Sequence, residues 1–533
     1  MLTPTCLDAL LDLAAGVTGR DRGSVRGGAA GSPFVTLGGT LQQAMRLQRR
    51  AGEQLGLSLD LAALLGPDPL AEALARAVPA SAPDRRESGP LRPLLAGQRA
   101  ALADRHRSRA AHRVLSAELS GPLDVAALRT AVAALSARHE GLRTFFAPSA
   151  GGPVRRVLDA YTVPLVAGRP AEGEAGGVDA VHRQLARDAA RPAAAAGRPP
   201  VAFVLAPLAP GRHLLSFLHH RAVAGPWSAA LVWRELLADY GRAAAGLPVS
   251  RVPAPGPGPE APGPGPEAPG PADAGAQRLA ALLRGAAGPV DLGAPERRPA
   301  VFDFRGGRLP FLLDTEVRDA VDATARRAGV PHSTVVLAAW ALAVGRRCGR
   351  EELLVGAELP RRPRAALPHT VVPCAVTHPV RCTLEGTTDY FLRGIACALS
   401  EGLAHAGTDE DDLARALGTA GDRSRPGPAQ VAFAAHDELL PAAVSAGGLS
   451  ARFHHGHLGG AEADAALTLV RWRERPLLCL DFASSVLTRI EAARLAGDVS
   501  AALLALALSA PSTPVDDLLP AARAAGAALP TRP

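Results

Sequence analysis

The chain has 533 residues and a formal net charge of +7, and every basic residue is an arginine. A length of several times ~150 residues implies more than one folding unit, and a modest positive charge without basic-aromatic clusters excludes a dedicated nucleic-acid surface. The six cysteines (Cys6, Cys348, Cys374, Cys382, Cys397 and Cys479) form no CxxC pair, which argues against a disulfide framework or a structural zinc site and reads them as reduced core residues.

The first stretch, "MLTPTCLDALLDLAAG", has neither the basic start nor the long apolar run of a secretory signal, and the late run "AALLALALSA" is too short to span a bilayer. The expected location is the cytoplasm, with no membrane contact. Helical periodicity at 7–15, 41–55 and in "DPLAEALARAV" outlines a small all-helical unit over residues 1–80. A polar, proline-bearing linker follows at 81–91.

Beyond it, helical stretches ("LDVAALRTAVAALSARHEGLRTFF", "LVWRELLADYGRAAAG", "DTEVRDAVDATARRAGV", "TVVLAAWALAVGRRC") alternate with short apolar runs ("VAFVLAPL", "HLLSFLHH", "EELLVGAEL", "AQVAFAA", "PLLCLDFA") that suit strands. One interruption divides this body. Residues 255–271 repeat Pro, Gly, Glu and Ala with nothing to bury, so the surrounding 241–275 is expected to be an extended tether between parts at 92–240 and 276–515, with a tail at 516–533.

Several motifs now stand in a fixed order: "LLAGQRAAL" with Gln98 and Arg99, "RHEGLRTFF" from Arg138, "HHRAVAG" from His219, "VPCAVTHPVR" with Thr377, "HAGTDEDDLARALG" and "DRSRPGPAQVAF". In this order they resemble the condensation domain of non-ribosomal peptide synthetases, whose HHxxxDG motif "HHRAVAG" follows except that Ala224 stands where the aspartate would be. The Tyr-x-Asp-Phe-Ala-x-Trp segment usual at the end of that family's first lobe has no counterpart here. The resemblance implies an α+β two-lobed, chloramphenicol-acetyltransferase-like pseudo-dimer with the histidine motif at the cleft.

It also implies the reaction: transfer of an acyl or aminoacyl group from a carrier thioester to an amine or hydroxyl, forming an amide or ester in secondary-metabolite biosynthesis. His220, the second histidine, is expected to line the channel and orient or deprotonate the attacking amine, a task suited to imidazole near its ordinary pKa of about 6.5. His219 is expected mainly to pack, Gly225 to keep the loop's turn, and Arg138, His139, Arg143, Ser228 and Thr377 to support the site. The missing carboxylate at Ala224 removes a loop anchor that pairs with an arginine in the family; Arg361 and Arg362 are candidates for that partner.

The 1–80 unit resembles a peptidyl or acyl carrier protein. "VTLGGTLQQAMRLQRRAGEQLGLSL" keeps Leu37, Gly38, Gly39, Leu55, Gly56 and Leu59 in the family's register, but the serine that carries phosphopantetheine is Leu41. Leucine has no hydroxyl to phosphorylate, and Thr40 is turned by about 100° on a helix start. No covalently bound cofactor is therefore expected. Pantetheine arms would come from partner carrier proteins, and activated substrates from other synthetase subunits.

"FHHGH" offers His454, His455 and His457, but with no carboxylate or cysteine at ligand spacing no metal is expected. "DEDD" at 409–412 reads as a solvated helix start. Two other functions stay open: a scaffold in which both units have lost their chemistry and dock synthetase subunits or tailoring enzymes, and an acyltransferase of the same superfold with a soluble acceptor.

Overall fold

The structure is a computed structural model that describes residues 4–34, 36–37, 41–55, 57–59, 61–64, 68–79, 88–95, 98, 101–102, 110–147, 153–169, 177–189, 199–254, 271–286, 288–360, 369–373, 375–405, 408, 410–419, 422–437 and 439–518. Its first unit holds five helices, α1 (Pro4–Thr18), α2 (Arg22–Gly27), α3 (Leu41–Leu55), α4 (Leu61–Leu64) and α5 (Leu70–Ala75). Two-residue strands β1 (Leu57–Ser58) and β2 (Val78–Pro79) pair antiparallel beside them, an addition to the all-helical unit expected. Leu10, Phe34, Leu47, Leu64 and Leu74 fill the interior.

The expected linker is partly structured: β3 (Ser88–Arg92) pairs with β6 (Val154–Leu158), which pairs in turn with β5 (Thr144–Ala147). Its proline and polar residues hide a strand in the sequence because an edge strand with a broken register tolerates both. The first large sheet has the order β14-β15-β4-β9-β8-β7. Its members are β4 (His112–Ser120), β7 (Leu165–Ala167), β8 (Val201–Ala209), β9 (Arg212–His220), β14 (Ala443–Ala446) and β15 (Leu449–His455).

Both faces of this sheet are covered, so β8 and β9 read as nearly continuous apolar runs. On one face Leu215 and Phe217 of β9 join the core made by α6 (Val125–Arg138) and α8 (Pro226–Ala244), around Leu135, Trp233 and Leu236. On the other, Leu214 and Val204 share an apolar cluster with α7 (Val178–Ala189) and the N-terminal helices. The "TFF" ending of the expected α6 stretch leaves the helix and becomes β5.

The hairpin β14–β15 comes from the second half of the chain yet completes the first sheet by pairing with β4. Gly447 and Gly448 turn it with φ of +54° and +80°, the left-handed pair that a two-residue turn matched to strand twist requires. The boundary at 276–515 therefore does not divide the lobes spatially. The tether expected over 241–275 is helical at both ends, since α8 runs to Ala244 and α9 (Pro271–Leu283) begins inside it; the repeat at 255–270 lies outside the described residues.

The second sheet has the order β10-β17-β16-β13-β11-β12, from β10 (Gly306–Leu312), β11 (Glu352–Pro360), β12 (Ala375–Thr383), β13 (Val431–Ala435), β16 (Ala465–Arg471) and β17 (Leu477–Ala483). Val355, Val431, Leu467 and Leu480 point to a core shared with α10 (Thr315–Ala328), α11 (His332–Cys348), α12 (Thr388–Ala404) and α14 (Arg489–Leu508); α13 (Glu410–Ala416) packs against α9. The alternate residues face the first lobe. Val515 and Leu518 are buried, so the expected tail begins later than 516. Cys397 is exposed on α12, a correction to its reading as a core residue, whereas Cys382 and Cys479 are buried. Among the described residues no single helix is long and apolar enough to cross a membrane.

Candidate functional site

A cavity of about 260 Å³ lies where the ends of β4 and β9 and the start of α8 meet one face of the second sheet. Its floor is small: Gly356 of β11, Thr377 of β12, Ala432 and Ala434 of β13, and Ala466 and Thr468 of β16. These residues alternate with the core-facing ones, so period-two pleating dedicates one face to helices and the other to the cavity. A hydrogen-bonded pair and an ion pair bound the floor: His436 Nε2 meets Glu358 at 2.7 Å, and Arg308 grips Asp481 with two bonds of 2.6 and 2.7 Å.

The opposite wall is polar. His112, Arg113, His219, Arg221, His455, His457 and Glu462 line it, together with Ala224 and Gly225. Of the two motif histidines, His219 contributes to this wall, whereas His220, the one expected to line the channel, is not among its residues. Successive residues on a strand point to opposite faces, a parity the sequence reveals without telling which face meets the cavity.

His220 instead organises its own loop. Its Nδ1 accepts from the Ala222 N–H at 3.1 Å, and its carbonyl accepts from Val223 and Ala224 at 2.8 and 3.3 Å. Only 5 % exposed, it packs edge-on to His112 with ring centroids 5.1 Å apart. Burial, then the charges of His112 and Arg221, lower its pKa to about 3. The ring is neutral near pH 7, and because Nδ1 is an acceptor its one proton sits on Nε2. That nitrogen is a donor, not a base.

His219 is 3 % exposed and stacks on Phe217 at 4.8 Å. Burial first, and Arg113 second, lower its pKa to about 3, so it too is a neutral imidazole at neutral pH. His455 is lowered to about 3 by burial, then by His436 and Arg308.

The loop has further anchors. Gln98 Nε2 donates to the Ala222 carbonyl at 3.2 Å, and the Arg221 N–H to Ala111 at 2.7 Å. Gly225 N-caps α8 at φ −97°, ψ −174°, an extended conformation open to any residue, so the turn does not demand glycine. Ala224 is fully buried in the wall. Arg361, Arg362 and Arg99 lie outside the described residues.

The other motif residues act as fasteners. Arg138 pairs with Glu235 and, at 2.7 Å, with Asp239; His139 Nε2 meets Glu235 at 2.8 Å. Together they tie α6 to α8. Arg143 donates to the carbonyls of Ser136, at 3.1 Å, and Leu158. Ser228 Oγ donates to the Val372 carbonyl at 2.6 Å and accepts from its N–H at 3.0 Å, linking the first turn of α8 to the segment before β12. Thr377 is in the floor, and Leu41 opens α3, while Gly38, Gly39 and Thr40 lie outside the described residues.

The FHHGH histidines do not converge. His454 meets Glu118 at 3.3 Å, His457 Nε2 meets the Gly460 carbonyl at 2.8 Å, and among the described residues no group of three or more His, Cys, Asp or Glu side chains is placed to hold a metal. Sequence reasoning missed Arg113, Arg308, His436, Glu462 and Asp481, whose partners lie far away in the chain.

The condensation-domain family model matches residues 280–440. A protein of Salinispora arenicola (strain CNS-205) described as a "probable non-canonical nonribosomal peptide synthetase (NRPS) CymA" is 33 % identical over 359 residues, 63 % of this chain and 4 % of that protein. Phosphinothricin tripeptide synthetase PhsC of Streptomyces viridochromogenes is 28 % identical over 278 residues, 51 % of this chain and 25 % of that one. The chain thus spans a quarter or less of the length of these relatives.

Among solved structures, the first condensation domain of the calcium-dependent antibiotic synthetase superposes with a TM-score of 0.67 at 20 % identity, covering 81 % of this chain and 99 % of that one. The X-domain from teicoplanin biosynthesis gives 0.65 at 24 %, covering 80 % and 96 %. Residues 280–440 thus match the condensation-domain family, and the two-lobed body as a whole has the fold of non-ribosomal peptide synthetase condensation domains.

Proposed function

We propose that this chain joins an acyl or aminoacyl thioester to an amine or hydroxyl, both presented on partner carrier proteins, inside the cavity between the lobes. The observation that carries the reading is the neutral His219 imidazole in the wall opposite an uncharged floor. In the step, the amine nitrogen bonds to the thioester carbonyl carbon, the C–S bond breaks, and the amine's proton passes to the departing thiolate. An imidazole of pKa about 3 is a weak proton acceptor near pH 7. His219 therefore serves by hydrogen-bonding the amine or the developing oxyanion, with proximity supplying much of the rate.

The 1–80 unit is in this reading a carrier-like bundle without its own pantetheine arm, since leucine opens α3 where the serine would stand. Arms then arrive on other proteins. Incubating the chain with coenzyme A and a phosphopantetheinyl transferase should leave its intact mass unchanged; a gain of one arm in the first eighty residues would contradict this.

A scaffold reading is favoured by one observation, the alanine at position 224 in place of the motif carboxylate. Acyl- and aminoacyl-loaded carriers separate the two. Amide or ester product above the uncatalysed rate supports transfer, whereas carrier binding without product from any donor tested supports the scaffold.

A further inference from the structure

The histidine loop lacks its carboxylate, yet two arginines flanking it converge on one from elsewhere in the chain. Arg113 is the register partner of His219 on β4, and Arg221 directly follows His220. Arg113 Nη2 reaches Glu462 Oε2 at 2.5 Å, while Arg221 Nη1 meets Oε1 of the same residue. One carboxylate thus closes a bridge across the ends of the two strands that carry the histidines.

Glu462 sits between β15 of the first sheet and β16 of the second, on a segment whose backbone is held largely by the second lobe. The Gly306 N–H donates to Gly459 and the Ala461 N–H to Phe304, each at 3.0 Å; Asp464 donates to Gln430 at 2.8 Å. Arg308 Nη1 adds bonds of 3.1 and 3.0 Å to the His455 and Gly456 carbonyls. The carboxylate is therefore presented from a fixed backbone. Arg221 and Glu462 are partly covered, Arg113 is exposed, and all three line the cavity, joined by charge-assisted bonds.

We infer that Glu462 is a positioning residue that replaces the carboxylate missing at 224, so that the second lobe sets the placement of the first lobe's histidine loop. For its effect on rate this rests on the transfer reading; for its effect on the loop it does not. Glu462→Gln keeps the shape and removes the charge. Amide hydrogen exchange should rise at least fivefold in the peptide covering 219–225 and stay unchanged in α11, and kcat should fall about tenfold with KM held within twofold. Glu462→Asp, which keeps the charge that both arginines meet, should recover part of both effects.

Unchanged exchange at 219–225, a uniform rise that includes α11, or a loosened loop with unaltered kcat would each overturn the inference. If wild-type protein shows no transfer at all, the proposed reaction falls, and the exchange result still decides whether Glu462 holds the loop.

Discussion

The two large sheets meet the same cavity in opposite ways. The first brings strand ends and a loop, with histidines and arginines crowded at the tips of β4 and β9. The second offers an entire face, flat and nearly side-chain-free from Gly356 across Ala432 to Ala466. Chemistry is concentrated where chain direction changes and side chains can converge, while space is made where a regular pleat repeats small residues. A change to the first lobe should therefore act on rate or proton balance, and one to the second on what fits.

The sharpest break in that division is at Arg308 and Asp481, the charged edge of the floor. Burial pushes the Asp481 carboxyl up, but the charge and paired hydrogen bonds of Arg308 outweigh it and hold it below its ordinary value. Asp481→Ala leaves a largely covered guanidinium with its two carbonyl partners but no counter-charge and should cost about 3 kcal/mol, read as a lowered denaturant midpoint. A cost under about 1 kcal/mol would mean solvent reaches the pair.

Next in size is the acid response of the histidine wall. His219, His220 and His455 are lowered to about 3, below the ordinary 6.5 of the unfolded chain. Their contribution is intact above about pH 6.5 and is lost as pH falls toward 3, because only the unfolded state takes up protons in that window. From pH 7 to pH 5 each should cost about 2 kcal/mol. Urea midpoints at the two pH values check this, and His455→Gln should flatten the slope; identical slopes would place the imidazole in water.

A smaller effect separates shape from stability. Ala432→Leu should lower transfer of bulky acyl groups about tenfold, or ~1.4 kcal/mol, with the melting temperature nearly unchanged, since the floor faces open space. Equal loss for acetyl and long-chain donors would show that the floor does not select by size. Least of all should follow from deleting residues 255–268: a shift in melting temperature below about 1 °C, equivalent to under ~1 kcal/mol for a body this large.

How much of this was legible in the sequence depended on how local the signal was. β8, β9, β11 and β17 announce themselves as apolar runs because both their faces are covered or their core face is dense with Leu and Val. β4, "HRVLSAELS", escaped notice although it is central: Ser116 and Glu118 break the run, and Ser116 is satisfied by His182 and Ser216 at 2.8 Å each. The Gly-Gly turn signals the β14–β15 hairpin, but nothing local says that it joins the sheet of the other lobe. Likewise, "HH" fixes that the two imidazoles oppose each other. It does not say which of them the cavity receives.

That choice is the centre of the account, and comparing His219→Ala with His220→Ala in transfer between loaded carriers, each alongside its melting curve, tests it directly. The account predicts that His219→Ala stays folded and loses about a hundredfold or more in kcat. His220→Ala, which removes the acceptor for Ala222 and the packing around it, should lose about 1–3 kcal/mol of stability and activity only as far as its loop loosens. A fully stable, inactive His220→Ala beside an active His219→Ala would contradict it.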